Sequence, residues 1–301
     1  MSPLAKQLQV VPDLEVRLNE PMWQHTTFRI GGPADVLCIP SSLPALRALL
    51  EIVAASGAPL TVIGSGTNLL VRDGGVRGVV LRIDEHLARI ERKADGVRAE
   101  AGAKLSAVAR FAAQHDLTGL EFGAGIPGSI GGAVVMNAGA YGGEMADVVE
   151  RAETFDRLGR EHSYEAADLD FSYRHSALAG TEEIVARVEL RLSPGDGVAI
   201  AARMSEFAQR RQETQPLSLP SAGSVFKRPP GDYAGRLIEA AGMKGHVVGG
   251  AQVSEMHAGF IVNLGGATAR DVLTLMDEVR NAVRRQSGVE LEPEIRVIGE
   301  D

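Results

Sequence analysis

The residues best suited to chemistry lie in two glycine-rich runs. The longer, Gly123–Glu144, reads GAGIPGSIGGAVVMNAGAYGGE and holds eight of the chain's 35 glycines, with no charged residue before Glu144. Glycine permits positive φ and has no Cβ, so such a run exposes successive N–H groups as a concave nest for an anion. A phosphate-bearing ligand is its natural occupant, and a tightly packed crossing of two elements is the equal alternative. The shorter run, Gly64-Ser65-Gly66-Thr67-Asn68-Leu69, follows the apolar Pro59–Ile63 and adds Ser65, Thr67 and Asn68 as short-range donors. Alone it reads as a structural turn. Two such runs in one chain point to a diphosphate, which needs donors from more than one side.

Gly123 to Gly128 matches G-x-G-x-x-G, but that pattern marks a dinucleotide site only where a strand feeds directly into a helix. Here Lys104–Asp116 has helical spacing and a short polar connection follows, which excludes a Rossmann reading.

The surrounding elements follow from caps and periodicity. An alternating strand Ala34–Pro40 precedes a helix that Ser42 caps, with Pro44 in its first turn, Leu46, Leu49, Leu50 and Val53 on one face, and Gly57 at its end. Pro59–Ile63 and Gly78–Ile83 complete a β-α-β opening. Val97–Ala101, a helix Leu105–His115 and a strand Arg151–Phe155 flank the longer glycine run. In Glu183–Leu192, Ile184, Ala186, Val188, Leu190 and Leu192 alternate with residues expected on a largely solvated face, Glu189 among them. Ser193-Pro194-Gly195-Asp196-Gly197 reads as a linker, after which Ile200, Met204, Phe207 and Arg211 share a helical face that ends before Pro216. Strands are expected at His246–Val253, Gly259–Asn263 and Glu294–Ile298, with a helix Asp232–Ala241 ended by Gly242. Thr268 and Asp271 form a capping box for a helix ended by Gly288.

Composition narrows the function classes. At 301 residues the chain has room for two or three cores. A net charge of −8 argues against a nucleic-acid surface while leaving an anionic small ligand open. The single cysteine, Cys38, excludes an internal disulfide and a thiolate zinc cage. Seven dispersed histidines give no metal spacing, and no metal site is expected. No segment approaches a membrane span and residues 1–20 lack a signal-peptide pattern, so a cytoplasmic location and no membrane association are expected.

Several segments together resemble one family. GSGTNLLVRDGGVRGVVL (64–81), GLEFGAGIPGSIGGAVVMNAGAYGGE (119–144), YRHS (173–176), PSAGSVFK (220–227), AGRLIEAAGMKGHVVGGAQVSEMHAGFIVN (234–263) and LEPEIRVIG (291–299) are similar, in order, to UDP-N-acetylenolpyruvoylglucosamine reductase. The resemblance runs from about His25 to the C-terminus, and to the shorter class that lacks a tyrosine-bearing loop over the substrate. It implies an α+β chain with a vanillyl-alcohol-oxidase-like, two-subdomain FAD-binding fold and a C-terminal α+β substrate domain. The expected divisions are residues 1–92, 93–197 and 198–301. The resemblance further implies that non-covalent FAD would take hydride from NADPH and reduce the enolpyruvyl ether of a UDP-sugar to a lactyl ether, giving UDP-N-acetylmuramate for peptidoglycan. No protein partner is implied.

The resemblance also implies residue roles. Gly64, Ser65, Gly66, Thr67, Asn68, Leu69, Gly125, Ile126, Pro127, Gly128, Ser129, Gly132 and Asn137 would hold the cofactor. Tyr173, Arg174 and Lys227 would contact substrate, and Arg174, Ser224 and Glu294 would be catalytic. The chemistry suits these types: Arg174 offers a planar cationic fork for a carboxylate, Ser224 a proton, and Glu294 an acid for the developing enolate. Lys227 would polarise Ser224 or hold a phosphate. Periodicity leaves Glu292 and Glu294 on the same side of an extended segment, and the family motif selects Glu294. Where the family often has Asn after the lysine of its GSxFK motif, this chain has Arg228. Two other readings remain: a flavin oxidase or dehydrogenase of the same fold, and a catalytically silent nucleotide-binding protein.

Overall fold

In the computed structural model, which describes residues 2–301, the helix Leu43–Ser56 starts and stops where its sequence requires. The Ser42 hydroxyl accepts from the Ala45 N–H at 3.2 Å, Pro44 sits in the first turn, and Gly57 closes the helix in the left-handed region at φ 67°. Leu46, Leu49, Leu50 and Val53 are buried, as the periodicity predicts. The helix returns the chain to Leu60–Ile63, which pairs in parallel with Val79–Arg82 and completes the β-α-β unit. These strands belong to a four-stranded sheet ordered Leu14–Pro21, Pro33–Pro40, Val76–Arg82, Leu60–Ile63.

The chain divides into two compact units. The first comprises the residues up to Arg17, Val36–Ser65 and Val79–Arg211; the second comprises Leu18–Asp35, Gly66–Gly78 and Gln212–Asp301. Each has its own apolar core.

The first unit also contains an antiparallel five-stranded sheet ordered Glu161–Glu165, Val149–Phe155, Ile184–Arg191, Gly96–Glu100, Ile90–Lys93. Its central strand corrects one expectation: Glu189, placed on the solvated face by alternation, is 6% exposed. Long side chains from the two strands on one side cover it, with Lys93 ion-paired to it and the Arg98 Nε 3.5 Å away. Burial opposes its ionisation, but those cations outweigh burial and hold the carboxyl below its ordinary range.

The expected linker is a second correction. Ser193 and Pro194 pair with Thr118 and Leu117, and the Gly195 N–H donates to the Asp116 carbonyl at 2.8 Å. The helix Gly197–Thr214 that follows is counted with the first unit through Arg211. Ile200 is buried, and Arg203 donates to Glu121 at 2.8 Å. Glu121 also accepts from the Thr118 hydroxyl at 2.7 Å and the Gly119 N–H at 2.8 Å. Burial opposes its ionisation, but these donors and the Arg203 charge prevail and hold its pKa down. A depressed pKa contributes stability above the unfolded value, about 4.3, and that stability is lost as pH falls through the folded value. Glu121→Gln is therefore expected to destabilise the fold by about 1–3 kcal/mol at neutral pH. Denaturant titrations should show the two proteins converging below about pH 4; a difference independent of pH would contradict this.

In the second unit the antiparallel strands run in the order Ser221–Ser224, Phe260–Asn263, Ala251–Val253, Val247–Val248. His246–Val253, expected as one strand, is a hairpin: Val248 pairs with Ala251 around Gly249 and Gly250, with Gly249 at φ 55°. The helix Ala269–Ser287 has the expected Thr268/Asp271 capping box, buries Val272, Leu275, Met276, Val279 and Val283, and ends at Gly288 with φ 73°. Leu69–Val71 pairs in parallel with Arg296–Ile298, so the last strand begins two residues later than expected. Among the described residues no helix is long and apolar enough to cross a membrane.

Candidate active site

The first unit brings parts of the two glycine-rich runs together. A Cβ on Gly64 would stand 2.8 Å from the Ser129 hydroxyl, so the start of the shorter run abuts the longer one and a larger residue there would displace the Ser129 side chain. Ser129 is buried and caps the short helix Ile130–Val135, accepting from the Gly132 N–H at 3.4 Å. The longer run is fixed by Leu105 N–H to the Gly128 carbonyl at 3.0 Å and by Ile130 N–H to the Ala103 carbonyl at 2.8 Å. Gly125, Ile126 and Gly128 are half-buried, and Pro127 and Gly132 are exposed. The residue before Gly123 belongs to a 3-10 turn, Glu121–Gly125, not a strand, in agreement with the exclusion of a Rossmann site.

Asn137 is wholly buried, with φ 41°, and its carboxamide faces the protein. It donates to the Ser172 carbonyl at 3.0 Å and accepts from the Ala146 N–H at 3.0 Å. It thereby joins the longer run to the YRHS turn. That turn is closed by reciprocal bonds between Ser172 and His175, each 3.1 Å, with Tyr173 and Arg174 at its tip. Arg174 is held at φ 55°, a left-handed conformation that a non-glycine residue adopts at some cost, and aims its guanidinium along the same side as Gly139. Its Nη2 donates to the Gly139 carbonyl at 3.4 Å, and its Cζ lies 5.0 Å from the centroid of the half-exposed Tyr173 ring.

The second unit gathers a different set. Gly66, at φ 67°, faces the His25 carbonyl so closely that a Cβ would stand 2.1 Å from that oxygen. The Thr27 N–H donates to the Gly66 carbonyl at 3.1 Å, and the Thr27 hydroxyl to the Ser221 carbonyl at 2.7 Å. The Asn68 carboxamide donates to the Glu294 carbonyl at 3.1 Å, and the Glu294 N–H donates to the Val225 carbonyl at 2.7 Å. One ladder of bonds thus ties the end of the shorter run, Glu294 and the residue after Ser224. Thr67 and Asn68 are half-buried and Leu69 is buried in the pairing with Arg296; Ser65, in the first unit, is half-buried.

Ser224 pairs with Phe260 at an irregular end of its strand, between Gly223 at φ 78° and the buried Val225. Lys227 and Glu292 pair with each other, Nζ to Oε2 at 3.2 Å, with the Glu292 side chain 74% exposed. Glu294 is half-buried. Exposure therefore distinguishes the two glutamates that periodicity left equivalent.

Two features escaped the sequence reading. Asn68 and Asn137, expected at the cofactor, each place their carboxamide on a carbonyl of another segment, that of Glu294 and that of Ser172, so both tie the chain together locally. Arg211 interrupts the otherwise apolar face Ile200, Met204, Phe207; that interruption was the available signal.

Comparison with known proteins bears on the whole chain. Residues 34–164 match a family described as an FAD binding domain, and residues 215–298 match the C-terminal domain of UDP-N-acetylenolpyruvoylglucosamine reductase. A reductase of that name from Caldanaerobacter subterraneus is 49% identical over 292 residues, covering 97% of this chain and 96% of its own. The solved structure of UDP-N-acetylenolpyruvylglucosamine reductase from Thermus caldophilus is similar with a TM-score of 0.80 and 40% identity, over 94% of this chain and 98% of that one. Berberine bridge enzyme from Eschscholzia californica, 15% identical with a TM-score of 0.51 over 64% of this chain and 44% of its own, shares the fold alone.

Proposed function

This chain belongs to the UDP-N-acetylenolpyruvoylglucosamine reductase family, and from that premise we propose that Arg174, Ser224 and Glu294 carry its chemistry. It is an FAD-dependent oxidoreductase with the vanillyl-alcohol-oxidase-like fold and a C-terminal α+β domain. It reduces UDP-N-acetylglucosamine enolpyruvate to UDP-N-acetylmuramate for peptidoglycan, with NADPH as the hydride donor.

The residues present suit the cofactor. Gly64 and Gly66 let the shorter run pack directly on the Ser129 hydroxyl and the His25 carbonyl, where a Cβ would stand 2.8 Å and 2.1 Å from those oxygens, and so fix the course of its backbone. Residues 64–69 and 125–132 supply hydroxyls and amides and contain no carboxylate to repel a diphosphate. We propose that Gly64, Ser65, Gly66, Thr67, Leu69, Gly125, Ile126, Pro127, Gly128, Ser129 and Gly132 line it, with Asn68 and Asn137 fixing that lining. When bound, FAD supplies two-electron chemistry, accepting hydride from NADPH and delivering it to the terminal carbon of the enolpyruvyl group.

Hydride at that carbon leaves negative charge on its neighbour and on the carboxylate. Arg174 pairs with the carboxylate, with Tyr173 beside it, and Glu294 in its protonated form donates a hydrogen bond to the enolate oxygen as its charge grows. The Ser224 hydroxyl gives its proton to the adjacent carbon, completing the lactyl ether. Lys227, whose exposed pairing with Glu292 leaves it free to turn, is proposed to face a phosphate of the UDP-sugar. The observation that supports this reading is the ladder Asn68–Glu294–Val225, which ties the backbone of Glu294 to the shorter glycine run and to the residue after Ser224.

We propose residues 1–92 and 93–197 as the cofactor-holding parts and 198–301 as the substrate part, except that residues 198–211 pack with the first unit and serve the cofactor side. The proposal is a cytoplasmic enzyme of the class without a tyrosine loop, acting on a small-molecule UDP-sugar, with no membrane, nucleic-acid or protein partner.

The test is stoichiometric: purified protein should consume one NADPH per lactyl ether formed, and NADPH loss that does not depend on the enolpyruvyl sugar would overturn the reading. Arg174→Lys keeps the charge but loses the planar fork. It should lower kcat/KM for the enolpyruvyl substrate by about 10- to 100-fold while leaving reduction by NADPH unchanged. An unchanged kcat/KM would remove Arg174 from the site.

A further inference from the structure

Arg211 lies in the last turn of the helix Gly197–Thr214, within the first unit. Its Cδ and Nη1 lie 3.3 Å and 3.5 Å from where a Cβ on Gly125 would be, so the guanidinium passes over the open face of that glycine. Its Nη1 is closed to solvent. One helical turn earlier Phe207 stacks on Tyr141, with ring centroids 4.6 Å apart and planes 8° from parallel. Tyr141 is placed by a two-residue turn between Ala140 and Gly143 in which it and Gly142 both have positive φ, 55° and 88°. Tyrosine in that conformation carries strain that glycine or asparagine would avoid, and here the strain brings the ring onto the helix beside Arg211.

A guanidinium keeps its charge at any physiological pH, and withdrawing one from water is costly. Burial does pull the Arg211 pKa down. The stretch it overlies, residues 122–143, contains no charged side chain, so Arg211 gives a neutral, amide-rich surface a positive centre. Planar N–H groups beside an uncharged, glycine-rich backbone suit a phosphate oxygen better than any neutral ligand.

We propose that Arg211 is a diphosphate ligand, delivering its guanidinium across Gly125 to a nucleotide held on the glycine-rich stretch. This rests on the reading that the stretch binds a nucleotide of the reaction. Diphosphate chemistry is shared by FAD, by NADPH and by the UDP-sugar, and the experiment separates them. Arg211→Met and Arg211→Lys are compared with wild type by flavin content, FAD affinity of the stripped protein, and equilibrium binding of the enolpyruvyl UDP-sugar and of NADP+ to the oxidised holoenzyme.

In Arg211→Met one of these affinities should fall about 10- to 100-fold, with a flatter salt dependence, and Arg211→Lys should recover part of it. Loss confined to FAD assigns the cofactor's diphosphate; loss confined to the UDP-sugar or to NADP+ assigns that ligand's. The proposal is overturned if every affinity stays within about three-fold, or if losses occur without any change in salt dependence or any recovery in Arg211→Lys. Wild-type NADPH stoichiometry, measured on the same preparation, reports separately on the proposed reaction.

Discussion

Ser224→Ala should bleach with NADPH at the wild-type rate, while recovery of the yellow absorbance on adding the enolpyruvyl UDP-sugar slows by about 10³- to 10⁴-fold. The contrast follows from where the serine sits. Its strand is held by backbone pairing, Ser224 with Phe260 and the Val225 N–H to the Gly259 carbonyl at 2.9 Å, so removing one oxygen leaves every one of those bonds intact. The side chain is half-buried between Gly223 and the core residue Val225, where an alanine methyl fits. On the proposed mechanism only the proton is lost. A serine hydroxyl is a weak acid, so in that proposal it serves a strongly basic carbon and no earlier step, and hydride transfer from NADPH does not need it. Stopped-flow absorbance resolves the two stages. Recovery within a few-fold of wild type would remove Ser224 as the proton donor.

Glu294→Gln should slow the same second stage by about 10²- to 10³-fold, with Glu292→Gln within about two-fold of wild type. Glutamine keeps the shape and size of the side chain. The backbone bonds of residue 294, N–H to Val225 and carbonyl from Asn68, do not depend on the side chain at all. The substitution therefore isolates the carboxyl group. Glu292 is the internal control, because its side chain is 74% exposed and faces Lys227. Single-turnover traces of both variants decide the matter: equal slowing, or slowing only in Glu292→Gln, would reverse the assignment.

What the sequence made legible was local. Ser42 with Gly57, and Thr268 with Asp271 and Gly288, are cap signals contained within one helix each, and both helices form where they predict. Gly64 and Gly66 were legible as backbone requirements before their neighbours, Ser129 and the His25 carbonyl, were known. What failed depended on partners remote in sequence. Ser193–Gly197 has the composition of a linker, and nothing in it announces pairing with Leu117 and Thr118. Alternation placed Glu189 in solvent because it does not reveal that Lys93 and Arg98 arrive from two other strands of the sheet. The hairpin at Gly249 and Gly250 was hidden because two short strands and their turn share one apolar run.

The site divides the same way. Residue types in Arg174, Ser224 and Glu294 gained meaning only through family resemblance, since each alone reads as a surface turn, a polar strand end or a solvated acid. The structure adds how they are held. Asn137 braces the turn that carries Arg174, and Asn68 braces the segment that carries Glu294. Neither bracing role has a local sequence pattern, because the carbonyls they grip lie 35 and 226 residues away.

The most direct test is anaerobic stopped-flow on wild-type holoenzyme, bleached with one equivalent of NADPH and then mixed with the enolpyruvyl UDP-sugar. Full return of the yellow absorbance, at a rate no slower than steady-state turnover and with the lactyl ether formed in equal amount, is the predicted result. Protein that stays bleached until oxygen is admitted would contradict the account and point to a flavin oxidase on the same fold.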